Sequence, residues 1–205
     1  MALAAGRGTR LGQLTASVPK PLLRVGGVAL LDHALERLAA VATHSAVNAH
    51  HLADQIADHL PRRVHLSVEE ELLGTAGAIG RLRQWINGRA VAITNADAWL
   101  WPNPLPSMAA DWSGGTVRLS VVRDAARSDF EGGLRYSGCC LLPGLLAADL
   151  LDEPSGLFEV CWQPLLGSSG LELVEHPGRF FDCGTPLELA AARAAAAPGL
   201  EPDAV

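Results

Sequence analysis

An apolar opening, Leu3-Ala4-Ala5, runs straight into Gly6-Arg7-Gly8-Thr9-Arg10, and Lys20 follows between Pro19 and Pro21. These residue types suit a polyphosphate. Gly6 and Gly8 admit positive φ and leave no Cβ between the backbone and an anion. Successive N–H groups in such a turn form a concave anion site. Arg7 and Arg10 add guanidinium groups that can grip phosphate oxygens in pairs. The flanking prolines stiffen the chain around Lys20, so its ammonium loses less freedom on meeting an anion. Taken alone, a Gly-x-Gly turn is also an ordinary strand-to-helix connection. It is not the dinucleotide fingerprint, because the next glycine is Gly12, and no Gly-Lys-Ser/Thr follows to make a P-loop.

Two carboxylates are candidates for the other half of the chemistry. Asp97 follows the apolar run Ala90–Thr94, and Asp182 follows Phe180-Phe181. In open parallel sheets, ligands bind beyond the carboxyl ends of the strands. Two acids meeting there would hold Mg²⁺, which takes one or two carboxylates and fills its shell with phosphate oxygens and water. Asp182 by itself, ahead of Cys183-Gly184, also reads as a turn residue. The adjacent His50 and His51 read as packing or capping residues before they read as metal ligands.

The elements that must position these groups alternate between strand and helix. Ala2–Ala5, Ala46–Ala49, Val64–Val68, Ala90–Thr94, Thr116–Val122 and Leu134–Leu142 read as strands. Leu31, Leu35 and Leu38 share one stripe of a helix; His51–Leu60, Ala76–Ile86, Phe158–Leu166 and Pro186–Ala197 read as further helices. Leu171–Val174 and Arg179–Phe181 are expected to finish the sheet. Trp99 to Trp112, crowded with prolines, shows no period and reads as a surface excursion. Its tryptophans could flank a ligand, but packing is the preferred reading. Such alternation implies an α/β fold with a parallel sheet and right-handed crossovers.

At 205 residues the chain suits one domain, expected over residues 1–197 with a frayed tail at 198–205. No apolar run approaches the ~20 residues that cross a bilayer, and the first residues lack a basic leader and cleavage region. The expectation is a cytoplasmic protein without a membrane partner. A net charge of −6 opposes nonspecific binding to nucleic acid, so a polyanionic substrate must be drawn by local cations. Cys139, Cys140, Cys161 and Cys183 form no Cys-x-x-Cys pair and read as buried, reduced thiols. Cys139 and Cys140 should face opposite sides of a strand.

A series of motifs now carries a family resemblance. Leu3 to Leu11, Pro19-Lys20-Pro21-Leu22, Val25-Gly26-Gly27, Glu71 through Ile79, Asn95-Ala96-Asp97 and Phe181 through Pro186 resemble, in order, the sugar-1-phosphate nucleotidyltransferases. The short length is most similar to the compact uridylyl- and guanylyltransferases among them. The resemblance implies a Rossmann-like three-layer α/β/α sandwich with a mostly parallel mixed sheet, and transfer of a nucleoside monophosphate from an NTP to a sugar-1-phosphate. It places Mg²⁺ on Asp97 and Asp182, with Arg10 on the β/γ phosphates and Lys20 on the α-phosphate or sugar phosphate. It gives nucleotide contacts to Leu3, Ala4, Ala5, Gly6, Arg7, Gly8, Thr9, Glu69, Gly74, Thr75 and Asn95, and sugar contacts to Ser137 and Gly138.

This chain departs from the family at Ala96, where glycine is usual, and alanine costs about 1 kcal/mol if that position needs positive φ. Nothing between Asp124 and Tyr136 matches the family's Glu-Lys-Pro element, so the sugar-side lid is trimmed. Two alternatives therefore stay open: an inactive nucleotide-sensing domain on the same fold, and transfer to a non-sugar phosphate such as choline or polyol phosphate.

Overall fold

A computed structural model describes residues 1–197; the tail expected to fray, 198–205, lies outside the described residues. The apolar runs build one sheet from β1 (Ala2–Leu3), β4 (Ala46–Ala49), β5 (His65–Val68), β6 (Val91–Asn95), β8 (Val117–Arg123), β9 (Leu134–Leu142) and β10 (Leu171–Glu175). Their order is β10-β8-β9-β6-β1-β4-β5, and only β9 runs against its neighbours. β1 is two residues long, not the four expected, yet it is central: Ala2 pairs with Val47 on one side and Thr94 on the other. The glycine loop therefore leaves the middle of the sheet, at its carboxyl edge.

Helices cover both faces. On one side, α1 (Leu30–Ala39), α2 (Ala53–His59) and α5 (Leu105–Ala110) pack Leu31, Leu38, Ile56, Leu105 and Met108 against Val47 and Cys139. On the other, α3 (Gly74–Arg81), α4 (Arg83–Ile86) and α6 (Gly144–Asp149) pack Ile79, Ile86 and Ala147 against Ile93, Leu119 and Cys140. The strands alternate as a doubly covered sheet requires, and Cys139 and Cys140 do face opposite layers. This is the expected α/β/α sandwich. A third, smaller cluster of Leu11, Leu23, Val25, Trp99, Cys183 and Leu189 lies beneath the glycine loop. It joins the loop to α7 (Pro186–Ala195) and to a hairpin of β2 (Arg24–Val25) and β3 (Val28–Ala29).

Two sequence expectations need correction. Arg179–Phe181 does not finish the main sheet. It is β11, and it pairs antiparallel with β7 (Trp99–Trp101) as a separate ribbon, with Trp99 opposite Phe181. The stretch Trp99 to Trp112 is therefore not an irregular excursion: it holds β7 and α5, and Trp99 is buried in the third cluster. Three residues are too few to show a period, and the prolines hid the rest. The ribbon matters because β7 begins just after Asp97 and β11 ends just before Asp182.

Two helical expectations also change, and one helix is new. Ala76–Ile86 divides into α3 and α4 around Leu82, which leaves helical geometry at φ −87°, ψ 5°. Phe158–Leu166 becomes a π-type turn, Phe158–Trp162, followed by a 3₁₀ turn containing Pro164, which cannot donate an N–H to a continued ladder. α6 was not anticipated.

Gly74, Gly77 and Gly80 recur every third residue along α3 and let the backbone of residues 151–155 lie directly on it. A Cβ at Gly77 would stand 2.1 Å from the Glu153 carbonyl oxygen. Gly77→Ala should cost about 2 kcal/mol by forcing these backbones apart, a fall of about 6 °C in Tm for a chain of this size; differential scanning calorimetry measures it. The four thiols are free and buried. Burial pushes Cys161 up to about 11 and Cys183 up to about 12, so almost no thiolate exists at pH 8. Ellman's reagent should label none of the four in native protein at pH 8 and all four in guanidinium.

Candidate active site

The glycine loop is built by one left-handed glycine and its support. Gly8 sits at φ 63°, ψ 27°, and a Cβ there would stand 3.0 Å from Lys20 Cβ and 3.2 Å from Thr15 Cγ2. Gly6 does not use positive φ, and the space a Cβ would enter is open. Thr15 holds the turn by donating its hydroxyl to the Gly8 carbonyl at 3.0 Å. The loop's start is fixed from below. Asn48 Oδ1 accepts the Ala4 N–H at 2.9 Å, and Asn48 Nδ2 donates to Glu69 Oε1 at 2.8 Å.

Lys20 brings the distant acids together. Its side chain is nearly buried, and Nζ donates to Asp97 Oδ2 at 2.8 Å and to the Asp182 carbonyl at 3.3 Å, with Asp182 Oδ1 at 4.0 Å. Acids 85 positions apart thus share one ammonium, as the β7–β11 register dictates. Asp182 also accepts from Arg135 Nη2 at 2.7 Å through Oδ2. Ala96 is fully buried without positive φ, and its N–H donates to the Leu3 carbonyl at 2.9 Å. The feared strain is absent there. Cys183, between Asp182 and Gly184, takes the left-handed conformation instead, at φ 51°.

Leu3, Ala4, Gly6, Gly8, Thr9, Arg10, Lys20 and Asp97 line a single cavity of about 140 Å³, closed by Pro21 and Gly184. A Cβ at Gly184 would stand 2.6 Å from Arg10 Nη2, so the guanidinium packs directly on the glycine that follows Asp182-Cys183. A larger cavity of about 660 Å³ lies between α1, Trp101-Pro102-Asn103 and the end of α7. It contains neither Asp97 nor Asp182, so its size does not make it the reaction centre.

The remaining sequence-predicted residues fall elsewhere. Ala5 is buried in the loop wall. Arg7 turns outward, its Nη2 3.4 Å from His50 Nε2, beside a shallow depression lined by Thr9, Gly12, Thr15, His50 and His51. His50 Nδ1 lies 3.0 Å from the Glu69 carbonyl, which makes it a bridging residue. Glu69 is buried, with Oε2 accepting the Leu73 N–H at 3.1 Å, so both oxygens already have protein donors; Glu70 and Glu71 are exposed. Thr75 Oγ1 accepts the Leu157 N–H at 2.8 Å, and Gly74, at φ 71°, packs on the Ser155 carbonyl. Ser137 is buried and donates to Ser120 Oγ at 2.7 Å. Gly138, at φ 91°, would place a Cβ 3.3 Å from Asn95 Cβ, so those two positions are adjacent.

Sequence reasoning missed Asn48, Arg37 and Arg135. Arg37 braces the Asp97 segment from behind, with Nε donating to Thr94 Oγ1 at 3.0 Å and Nη2 to the Asn95 carbonyl at 3.0 Å. Two signals were present: Asn48 interrupts an apolar strand, and Arg37 sits on the buried stripe of α1, and both need internal partners.

Comparison with known proteins identifies the family and the fold. The family described as MobA-like NTP transferase domain matches residues 1–197. The chain is 38% identical over 111 residues to N-acetylmuramate alpha-1-phosphate uridylyltransferase of Caulobacter vibrioides, covering 49% of this chain and 46% of that protein. It is 29% identical over 102 residues to mannose-1-phosphate guanylyltransferase of Mycobacterium tuberculosis, covering 46% of this chain and 28% of that one. The matches thus span less than half the length of these curated relatives. Among solved structures, HddC from Yersinia pseudotuberculosis, also known complexed with GMP-PN, superposes with a TM-score of 0.75 over 95% of this chain and 97% of its own, at 22% identity. UDP-glucose pyrophosphorylase from Acinetobacter baumannii superposes equally well, at 16% identity over 95% and 92% of the two chains. With its described length matched throughout and its fold shared, the chain belongs to the MobA-like NTP transferase domain family.

Proposed function

We propose that the protein transfers a nucleoside monophosphate from an NTP to a sugar-1-phosphate, releasing pyrophosphate, with Mg²⁺ as cofactor. The observation that carries this reading is Lys20, whose ammonium touches both Asp97 and Asp182 on the floor of the glycine loop. An oxygen of the acceptor phosphate attacks the α-phosphorus, the α–β bridging P–O bond breaks, and its electron pair leaves on pyrophosphate. The acceptor is a dianion near neutral pH, so no side-chain base is needed. Catalysis is then positioning of two anions that repel each other, together with charge stabilisation.

The donor set suits Mg²⁺. Among the described residues, no group of three or more His, Cys, Asp or Glu side chains forms a full metal cage. Two carboxylates drawn to one cation match a metal that takes most of its ligands from phosphate and water. When bound, Mg²⁺ would neutralise charge on the phosphates; Asp97 and Asp182 would hold it. The chain's own residues do the rest. Loop amides and Arg10 receive the β and γ phosphates, and Lys20 meets the α-phosphate. Gly74 and Thr75, with Glu69 and Asn48 fixing the wall behind them, stand on the base side. Asn95 and Gly138 stand on the sugar side, with Ser137 anchoring their strand.

No helix of the described residues is long and apolar enough to cross a membrane. We read the protein as a cytoplasmic enzyme whose four thiols stay reduced. The test is pyrophosphate release with Mg²⁺ across UTP, GTP and dTTP, each paired with glucose-, mannose- and N-acetylmuramate-1-phosphate and with choline and polyol phosphate. Turnover with at least one sugar-1-phosphate pair is expected. Tight NTP binding with no turnover on any pair would favour a sensing domain, and turnover confined to choline or polyol phosphate would move the acceptor class.

A further inference from the structure

Arg135 on β9 is the second cation on the metal acids. Its Nη2 bonds Asp182 Oδ2 at 2.7 Å while Lys20 faces the other carboxylate oxygen at 4.0 Å, so Asp182 sits between a loop-side and a β9-side cation. Among the described residues, no other cation lies within 4.0 Å of either acid. The guanidinium is anchored independently of Asp182: Nη1 donates to Asp124 Oδ2 at 3.3 Å, and the Phe180 ring lies 5.2 Å away. Asp124 is held in turn by Arg127, which also reaches Glu188. One bond of Arg135 can therefore be exchanged while its head group stays in place.

Charge and reaction geometry assign that bond. In-line displacement puts the attacking and leaving oxygens on opposite sides of the α-phosphorus. Arg10 and Lys20 line the loop cavity, the natural home of the leaving pyrophosphate. A second polyanion approaching from the far side needs its own cation, and a guanidinium receives a phosphate through two parallel hydrogen bonds. We infer that Arg135 receives the phosphate of the acceptor, exchanging the Asp182 carboxylate for phosphate oxygens and freeing that carboxylate for the metal. This inference rests on the nucleotidyl-transfer reading and names its acceptor-phosphate subsite.

The test is steady-state kinetics of wild type, Arg135→Gln and Arg135→Lys with the best pair from the panel above, alongside Mg²⁺ half-saturation and a thermal melt. Losing charged hydrogen bonds to one substrate should raise the acceptor KM about 30- to 100-fold in Arg135→Gln. The NTP KM and Mg²⁺ half-saturation should move less than about threefold, and Arg135→Lys should recover part of the acceptor affinity. A rise in Mg²⁺ half-saturation with an unchanged acceptor KM would make Arg135 only a positioning residue for Asp182 and overturn the inference. Should the glutamine variant melt far below wild type, the lysine variant carries the comparison, and an unchanged acceptor KM there overturns it equally. Wild type that turns over no pair removes the nucleotidyl-transfer reading and this inference with it. Wild-type turnover with no acceptor-specific change in the variants removes the inference alone.

Discussion

Asp97→Asn should lower kcat/KM by about 10³. The substitution keeps the shape of the side chain and an oxygen for the Lys20 ammonium, 2.8 Å away, but removes the negative charge. A bound divalent ion stabilises transition-state charge by several kcal/mol, and about 4 kcal/mol corresponds to a thousandfold in rate. Folding should survive, because Lys20 still has the Asp182 carbonyl at 3.3 Å and its carboxylate at 4.0 Å, while Arg37 still braces the segment through the Asn95 carbonyl. A pyrophosphate-release assay beside a thermal melt checks both halves. A loss below tenfold in well-folded protein would remove Asp97 from the reaction.

Lys20→Met should cost about 10² in kcat/KM, the scale of one preorganised charge contact, and its effect on stability has a distinctive sign. Without the ammonium, Asp97 loses the one cation that reaches it among the described residues, and Asp182 keeps only Arg135. Breaking a fully buried pair costs about 3–5 kcal/mol. The acid side chains here are 37% and 21% exposed, so water screens them and the cost should be nearer about 1–2 kcal/mol. The freed carboxylates should then favour a divalent cation. Mg²⁺ is expected to raise the Tm of Lys20→Met by more than it raises that of wild type, while activity stays low. Equal shifts in both proteins would mean that the ammonium and the metal do not compete for the same acids.

How much of this was legible before folding depended on where each group's partners lie. The buried strands announce themselves as apolar runs because helices cover both faces, and Asp97 is readable as the residue that ends one of them. The β7–β11 ribbon was not readable. It is three residues long, and its pairing joins segments 80 positions apart at Leu100 and Phe180, where no local period can signal it. Yet that pairing is what turns two separate aspartates into one site. Glu69, Thr75 and Ser137 carry the right functional groups in the right order, but the fold uses those groups on Asn48 and Leu73, on Leu157, and on Ser120. Arg135 went unnoticed for the converse reason. A lone arginine heading a strand looks like a solvated surface residue until Asp182 and Asp124 arrive from elsewhere in the chain.

The claim that one divalent ion is shared by two acids is tested most directly by electron paramagnetic resonance of Mn²⁺, with an α,β-methylene NTP, in wild type, Asp97→Asn and Asp182→Asn. Wild type should bind one Mn²⁺ per nucleotide complex more tightly than the analogue does alone. Each variant should weaken that binding by about 10- to 100-fold, at least the loss that follows removal of an outer partner in known metal sites. Unchanged Mn²⁺ affinity in either variant would contradict the account, because an acid that does not feel the ion does not hold it.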